Sequence, residues 1–240
     1  TCAEVLDLRE ALDNQHPFVA ENGAAIYWPE NYFSPPPANS EKIAHGDTTY
    51  WLHRVGQPRR HWLELLDSVA GEYRDCYRTF SQLGTQGIAR QTGLDAARAQ
   101  LANQRAATEP LQWLGSDAQR IAFTALLAQH GGQVVAGGRF LHIMDKQVSK
   151  GYALRWLAKH YQQQCGGEVF SIALGDSDND ISMLRAADQP IIIRSPVHSP
   201  PQCSGLHNLY TSTLPGPAGW SESLAKILDQ HNIPLAGANR

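Results

Sequence analysis

Gly175-Asp176-Ser177-Asp178-Asn179-Asp180 sets three carboxylates within five residues. The run follows the apolar stretch Val169-Phe170-Ser171-Ile172-Ala173-Leu174, which reads as a strand, and precedes a helical stretch from Ile181 to Ala187. Like charges this close repel, and at a strand's C-terminal end they cannot all be solvated as on an open face. A hard cation such as Mg2+, with its preference for carboxylate and water oxygens, removes that cost. The crevice beyond the carboxyl ends of parallel strands is also where open α/β sheets place ligands. On this reading Asp176 is the metal ligand and Asp180 its supporting or alternate partner. The competing reading is a solvated acidic turn that caps the next helix through Asp or Asn.

The chain of 240 residues can bury one large core, or one core plus a smaller module. Its hydrophobic content of 42% and charged content of 18% are ordinary for a globular protein. A net charge of −3 gives no electrostatic reason to expect nucleic acid or an anionic membrane as partner. Cys2, Cys76, Cys165 and Cys203 form no C-x-x-C pair, which suits a reducing cytoplasm better than a disulfide framework or a zinc site. No stretch approaches the ~18 to 20 apolar residues of a membrane span. Thr1-Cys2-Ala3-Glu4 leads directly into an amphipathic helix with Val5, Leu8 and Leu12 on one face, without an initiator Met or a signal region. The chain is expected to begin partway through a domain.

Two apolar runs, Pro17 to Ala20 and Ala24 to Trp28, flank Glu21-Asn22-Gly23 and predict a hairpin, because Asn and Gly tolerate positive φ. Pro29 and Pro35-Pro36-Pro37 read as a linker. From about residue 40 to 138 the composition favours helices. Trp62, Leu66, Val69 and Tyr73 recur at helical spacing, Asp95 to Arg105 is a second helix, and Ser116 with Gln119 makes the capping box of a third that stops at Gly131-Gly132. Gln133 to Ala136 and Arg139 to Ile143 predict paired strands about Gly137-Gly138. Beyond these, αβ alternation returns: helix 149–163, strand 169–174, helix 181–187, strand 190–194, a short strand near Leu209-Tyr210, and a closing helix 221–229. Trp220 is expected in the core, with Ser221 as the cap of that last helix. Such alternation predicts a parallel, doubly wound α/β sheet interrupted by an inserted α/β module.

Lys150 opens the helix whose apolar face is Leu154, Leu157, Ala158 and Tyr161. A cation at a helix N-terminus is disfavoured by the helix dipole, and a bound anion reverses that sign. A phosphate could use both the lysine and the free N–H groups. A solvated surface lysine is the alternative, and Lys146 is the rival within the same turn.

Lys150 followed by a helix, a strand and G-D-x-x-N-D resembles the third and fourth motifs of the haloacid-dehalogenase superfamily of Mg2+-dependent phosphatases. Within it, the mannosyl-3-phosphoglycerate phosphatase family is the closer match. The segments that carry this resemblance are Phe18 to Tyr27, Arg105 to Pro110, Gly137 to His142, Lys150-Gly151 and Gly216 to Trp220. The resemblance implies an α/β, Rossmannoid core with a parallel sheet and an inserted C2-type α/β cap. It divides the chain into core at 1–28, cap at 29–140 and core again at 141–240. It further implies an aspartyl-phosphate intermediate, with Lys150 offsetting charge, Mg2+ held partly by Asp176, and Asn179 orienting its neighbours. The nucleophile belongs to a D-x-D-G-T motif that does not occur in these residues. Asp7, Asp13 and Asp47 lack the strand-end context of a replacement, and Thr1 matches a threonine slightly beyond the phosphate-binding motif. Roughly one βαβ unit, ~30 residues or more, is therefore expected upstream.

For the cap, the resemblance leaves Arg105 to pair with a glycerate carboxylate and Glu109 to accept sugar hydroxyls, against a solvated helix-end cation for Arg105. Of Arg139 and His142, one is expected to face the ligand, and a buried structural role is favoured for His142. Gly138 permits close backbone approach by substrate or merely makes a turn. The expected partner is a phosphorylated sugar-glycerate. Alternatives are another C2-capped sugar phosphatase, or a sugar-phosphate-binding relative without catalysis; the 240 residues alone are expected to be inactive.

Overall fold

The computed structural model describes residues 1–46 and 48–233; Asp47, weighed above as a nucleophile, lies outside the described residues. The chain forms two compact units, Thr1–Ser149 and a second from Lys150 onward.

The first unit opens with α1 (Cys2–Ala11), whose Thr1 side chain accepts from the Glu4 amide. Its packing face is Ala3, Leu6 and Arg9, whereas Leu8 and Leu12 are exposed. The predicted Leu8/Leu12 stripe is thus turned outward, because Leu6 is the side chain that meets Phe18, Tyr27 and Tyr50. The strands β1 (Phe18–Ala20), β2 (Ala25–Pro29), β3 (Glu41–His45) and β4 (Thr48–Arg54) form an antiparallel sheet of order β1-β2-β4-β3. The predicted β1–β2 hairpin is present, with Phe18 opposite Tyr27 and their rings stacked at 4.9 Å. Its connection is wider than a two-residue turn. Glu21, Asn22 and Gly23 all take positive φ (55°, 58° and 101°), a conformation that costs a Glu side chain strain. The β3–β4 hairpin was expected as part of a helical region. Thr48-Thr49-Tyr50-Trp51 favours strand, and Tyr50 and Leu52 bury against the β1–β2 face.

A second antiparallel sheet, of order β5-β6-β8-β7, combines β5 (Tyr77–Thr79), β6 (Glu109–Trp113), β7 (Gly132–Gly137) and β8 (Phe140–Asp145). The helices around it are α2 (Arg59–Val69), α3 (Phe80–Thr92), α4 (Ala96–Asn103) and α5 (Asp117–Gln129). Trp62, Leu66, Tyr77, Leu111, Phe123, Leu127 and Ile143 make its core. Each such side chain contributes about 1.5 to 3 kcal/mol on burial. The α5 capping box forms as predicted, with Ser116 Oγ accepting from the Gln119 amide at 3.2 Å. The β7–β8 turn places Gly138 at φ 58°. Helix α3 carried no strong sequence signal. Gly84 and Gly87 interrupt its pattern, and it is held by a Thr79/Gln82 capping box and by Phe80 and Ile88 packing on Ala99 and Ala102 of α4.

The second unit comprises α6 (Lys150–Cys165), β9 (Ile172–Gly175), α7 (Ile181–Leu184), β10 (Gln189–Arg194), β11 (Tyr210–Pro215) and α8 (Gly216–Gln230). Its three strands are parallel in the order β11-β10-β9, as the alternation predicts. Strand β9 starts three residues later than expected, since the Ser171 amide and hydroxyl both donate to Asp188 Oδ2. Helix α8 starts five residues before the expected Ser221, with Pro217 in its first turn. That places Trp220 mid-helix on an outward face, 49% exposed, and the core is filled by Ile227 against Ile191 and Ile193 instead.

Two measurements check this account of the first unit. Glu21 accepts from the backbone amides of Ala106 (2.7 Å), Ala107 (3.1 Å) and Thr108 (2.8 Å), and from Thr108 Oγ1 (2.7 Å). Replacing Glu21 by Gln turns one acceptor into a donor facing buried donors. A loss of about 2 to 4 kcal/mol in urea-monitored stability is expected, and a change within 0.5 kcal/mol refutes the role assigned to Glu21. His142 on β8 is held down to about 4 by burial and then by the positive charge of Arg105. An unfolded His binds its proton near pH 6.5, so the folded state binds fewer protons between about pH 4 and 6.5. Stability is therefore fully present above about pH 6.5 and falls on acidification, by up to about 3 kcal/mol at pH 4. Urea midpoints at pH 7 and pH 4.5 should differ less in His142→Phe than in the unaltered chain.

Candidate active site

The candidate site lies in the second unit, at the C-terminal end of β9. Gly175 ends the strand because a Cβ there would lie 2.4 Å from Cβ of Asp180, so only glycine lets the chain double back this tightly. The backbone then runs through a 3-10 turn, Asp178–Asp180, into α7. This geometry folds the Asp180 carboxylate back over its own loop. Oδ2 accepts from the amides of Asp176 (3.1 Å) and Ser177 (3.2 Å), with Ser177 Oγ at 3.1 Å. Oδ1 accepts from Lys150 Nζ at 2.5 Å. Asp180 is only 5% exposed, so its charge is matched by the two loop amides and Lys150, with the Ser177 hydroxyl shared between Asp180 and Asn179, rather than by water.

Lys150 reaches the loop from the first residue of α6. Gly151 permits this: a Cβ on Gly151 would lie 2.1 Å from the Ser182 carbonyl oxygen, and its amide donates to Ser182 Oγ at 3.2 Å. The Lys150 ammonium also donates to Asn179 Oδ1 (3.3 Å), which Ser177 Oγ meets from the other side at 2.8 Å. Burial raises the Asp180 carboxyl, but the hydrogen bond and charge of Lys150 and the two loop amides outweigh it and hold the group below the usual carboxylate range. Lys150, and not Lys146, has its ammonium in this cluster; Lys146 is exposed in the turn after β8.

Asp176 differs from Asp180 in every respect. Its carboxylate is about half exposed, and the imidazole of His198 lies near it, with Nε2 at 3.5 Å from Oδ2. Among the described residues no three His, Cys, Asp or Glu side chains are grouped as a complete metal site. An open carboxylate at the end of a parallel strand nonetheless fits Mg2+, which takes one or two carboxylates and fills its remaining positions with water and substrate phosphate oxygens.

The sequence-selected residues of the first unit lie in a different environment. Glu109 is fully buried; its Oε2 pairs with Arg59 Nε, and its Oε1 accepts from the Ser81 amide at 2.9 Å. Arg59 also donates to the carbonyl (2.6 Å) and side chain (2.8 Å) of Asn103. Arg105 donates to the Ala102 carbonyl (3.1 Å) and Thr108 Oγ1 (3.2 Å) and lies over the Phe80 ring at 5.7 Å. Burial pulls the Arg105 guanidinium below its usual range, with Glu21, Glu4 and Glu109 opposing it. Arg139 donates to the Thr92 carbonyl at 2.8 Å from the turn that holds Gly138. The structure thus gathers Lys150, Asp176, Asn179 and Asp180 in one loop cluster, and Arg105 and Glu109 in a second network centred on residues 103–109. Sequence reasoning missed Glu21, Arg59, Ser177 and His198. Ser177 sits inside the quoted motif, but nothing in the spacing signals that Glu21 meets residues 106–108 or that His198 meets Asp176.

Residues 116–196 match the model of the haloacid dehalogenase-like hydrolases. A Persephonella marina protein named glucosyl-3-phosphoglycerate/mannosyl-3-phosphoglycerate phosphatase is 29% identical over 96% of this chain and 82% of its own length. A Methanococcoides burtonii protein of the same name is 30% identical over 97% of this chain and 83% of its own. Among solved structures, a Thermoplasma acidophilum protein superposes with a TM-score of 0.59 at 13% identity, covering 96% of this chain and 79% of that one. A haloacid-dehalogenase subclass IIB sugar phosphatase superposes with a TM-score of 0.56 at 11% identity, covering 95% and 80%. These neighbours share the α/β fold, a Rossmannoid core with an inserted C2-type cap. The G-D-x-x-N-D loop, the lysine it holds and relatives aligned over nearly the whole chain agree: the chain belongs to the haloacid dehalogenase-like hydrolases, in the family of the glucosyl-3-phosphoglycerate/mannosyl-3-phosphoglycerate phosphatases.

Proposed function

We propose that this protein is a Mg2+-dependent phosphatase that releases phosphate from mannosyl-3-phosphoglycerate or glucosyl-3-phosphoglycerate. The observation that carries the reading is the ammonium of Lys150, pinned between Asp180 Oδ1 and Asn179 Oδ1 on the loop that also carries the half-exposed Asp176 carboxylate. Relatives bearing that activity in their names support the substrate class.

In this reading Lys150 serves phosphate. Two of its hydrogen bonds go to fixed acceptors, so the third N–H has a defined direction and needs no reorganisation when negative charge develops nearby. Asp180 is a positioning residue: its oxygens are occupied by Lys150 and the loop, and it sets where the ammonium stands. Asn179 takes the second N–H and is in turn held by Ser177. Asp176 would hold Mg2+, which supplies charge neutralisation of the phosphoryl oxygens when bound. The nucleophile is not assigned among these residues, because no D-x-D-G-T motif is present to supply it.

In the first unit, Arg105 is the proposed reader of the glycerate carboxylate, with a planar fork suited to bidentate pairing. Glu109 acts through Arg59 and the Ser81 amide, keeping the 103–109 segment in place. Gly138 and Arg139 remain proposed contacts at the β7–β8 turn. The second reading, a C2-capped phosphatase of simple hexose phosphates, differs by not needing a carboxylate reader.

Phosphate release measured across both phosphoglycerates and a panel of hexose phosphates separates the two readings. With a D-x-D-G-T segment joined ahead of Thr1, activity should require Mg2+ and favour the phosphoglycerates. The 240 residues alone should give none. Lys150→Ala should lower kcat by roughly 10²- to 10³-fold. Arg105→Ala should raise KM for the phosphoglycerates at least tenfold and leave hexose phosphates unaffected. Equal turnover of simple hexose phosphates by the unaltered enzyme sinks the phosphoglycerate assignment, and Mg2+-dependent release by the 240 residues alone sinks the view that the nucleophile lies outside them.

A further inference from the structure

Arg9, near the end of α1, turns its guanidinium inward. It is only 6% exposed and lies over the Phe18 ring at 4.7 Å. Nη1 donates to Asn14 Oδ1 (3.2 Å) and to the His16 carbonyl, which ties the helix to the loop after it. Nε is buried without an acceptor, and among the described residues no carboxylate pairs with the group and nothing accepts from Nη2. A guanidinium stays charged, so it cannot relieve its burial by releasing a proton. One carbonyl, one amide oxygen and a ring face leave part of that charge uncompensated.

The same side chain lines a cavity of about 440 Å3 between α1 and the β3–β4 hairpin. Asp7 and Glu10 bring exposed carboxylates to it from α1, Gln15 an amide from the following loop, and Thr48 a hydroxyl from β4. None of these four side chains has a hydrogen-bond or ion-pair partner among the described residues. Tyr50, itself buried, completes the wall. The cavity thus combines one buried, under-compensated cation with several unused acceptors and donors.

The walls select the ligand. A carboxylate matches the planar guanidinium fork, and one such charge balances Arg9. A second negative charge, as on a phosphate dianion, would meet Asp7 and Glu10 and be repelled. Carboxylates and an amide without donors of their own suit hydroxyl groups instead. Cavities of roughly 300 to 1,000 Å3 hold small organic molecules, so there is room for more than a bare carboxylate. We propose that this cavity binds a polyhydroxylated monocarboxylate, a compound of the sugar-acid class, with its carboxylate on Arg9 and its hydroxyls on Asp7, Glu10 and Gln15. The site uses none of the residues assigned above to phosphate, metal or glycerate, and it stands or falls separately from the phosphatase reading.

Calorimetric titration of the chain with gluconate, glucose, L-serine and inorganic phosphate tests this, with 1H–15N spectra locating the response. Gluconate is expected to bind saturably and to shift amides of residues 6–15 and 48–50. Glucose, which lacks the carboxylate, and phosphate should bind at least about tenfold more weakly. Arg9→Lys keeps the charge but loses the fork, and should weaken gluconate at least about tenfold. Because Arg9 also holds residues 14–16, its folding is checked by circular dichroism. The exposed pair Asp7→Asn/Glu10→Gln gives a second reading: removing the repulsion should strengthen phosphate at least about threefold. No saturable gluconate binding in the unaltered chain overturns the proposal. Glucose binding as tightly as gluconate removes the role of Arg9, and L-serine binding more tightly than gluconate overturns the ligand class. Gluconate binding that survives Arg9→Lys and is lost in Arg105→Ala places the ligand on the other guanidinium and overturns the site.

Discussion

A carboxylate that is almost wholly removed from water must find a donor for each oxygen, and at Asp180 that requirement organises everything nearby. Leaving such a charge unpaired costs several kcal/mol, so the loop after β9 folds until two of its own amides reach Oδ2. The remaining oxygen accepts from Lys150 at the start of α6. Both glycines are consequences of this packing. Gly175 is small because Asp180 folds back onto it, and Gly151 is small because α6 must approach Ser182 closely enough for its first residue to reach the acid. The charge pair thereby fixes the lysine.

The first unit uses the same device with a different donor set. Glu21 sits at positive φ on a tight connection between β1 and β2, and its carboxylate collects the amides of residues 106–108 and the Thr108 hydroxyl. Strain in the connection is offset by four hydrogen bonds to a buried anion, each stronger than a bond between neutral groups. Glu109, in the strand that follows, is itself satisfied through Arg59 and the Ser81 amide. The segment carrying Arg105 is therefore held from both sides by acids and has little freedom to rearrange.

Much of the second unit was legible in the sequence, because its signals are local. The apolar run before Gly175, the acidic run after it and the amphipathic spacing from Lys150 each specify an element without reference to distant residues. The β3–β4 hairpin, helix α3 and the start of α8 were harder to read. Their strongest determinants are contacts with other elements: Tyr50 against Phe18, Phe80 against α4, and Ile227 against Ile191 and Ile193. The stripe of α1 shows the same limit. Leu8 and Leu12 satisfy helical spacing as well as Leu6 does, and only the position of the neighbouring sheet decides which side is covered.

The sequence by itself determined the αβ alternation, the glycine-punctuated acidic turn and the residue types available for phosphate and cation, since these depend on neighbours within one or two turns of chain. Only the tertiary structure decided that the two aspartates of the motif are unequal. Asp180 is buried and committed to Lys150, whereas Asp176 stays open and is met by His198 from a loop some twenty residues further along the chain. Identical carboxylates acquire different chemistry because burial and donors are set by how the chain folds back, and no spacing rule encodes which of two nearby acids the next element will cover.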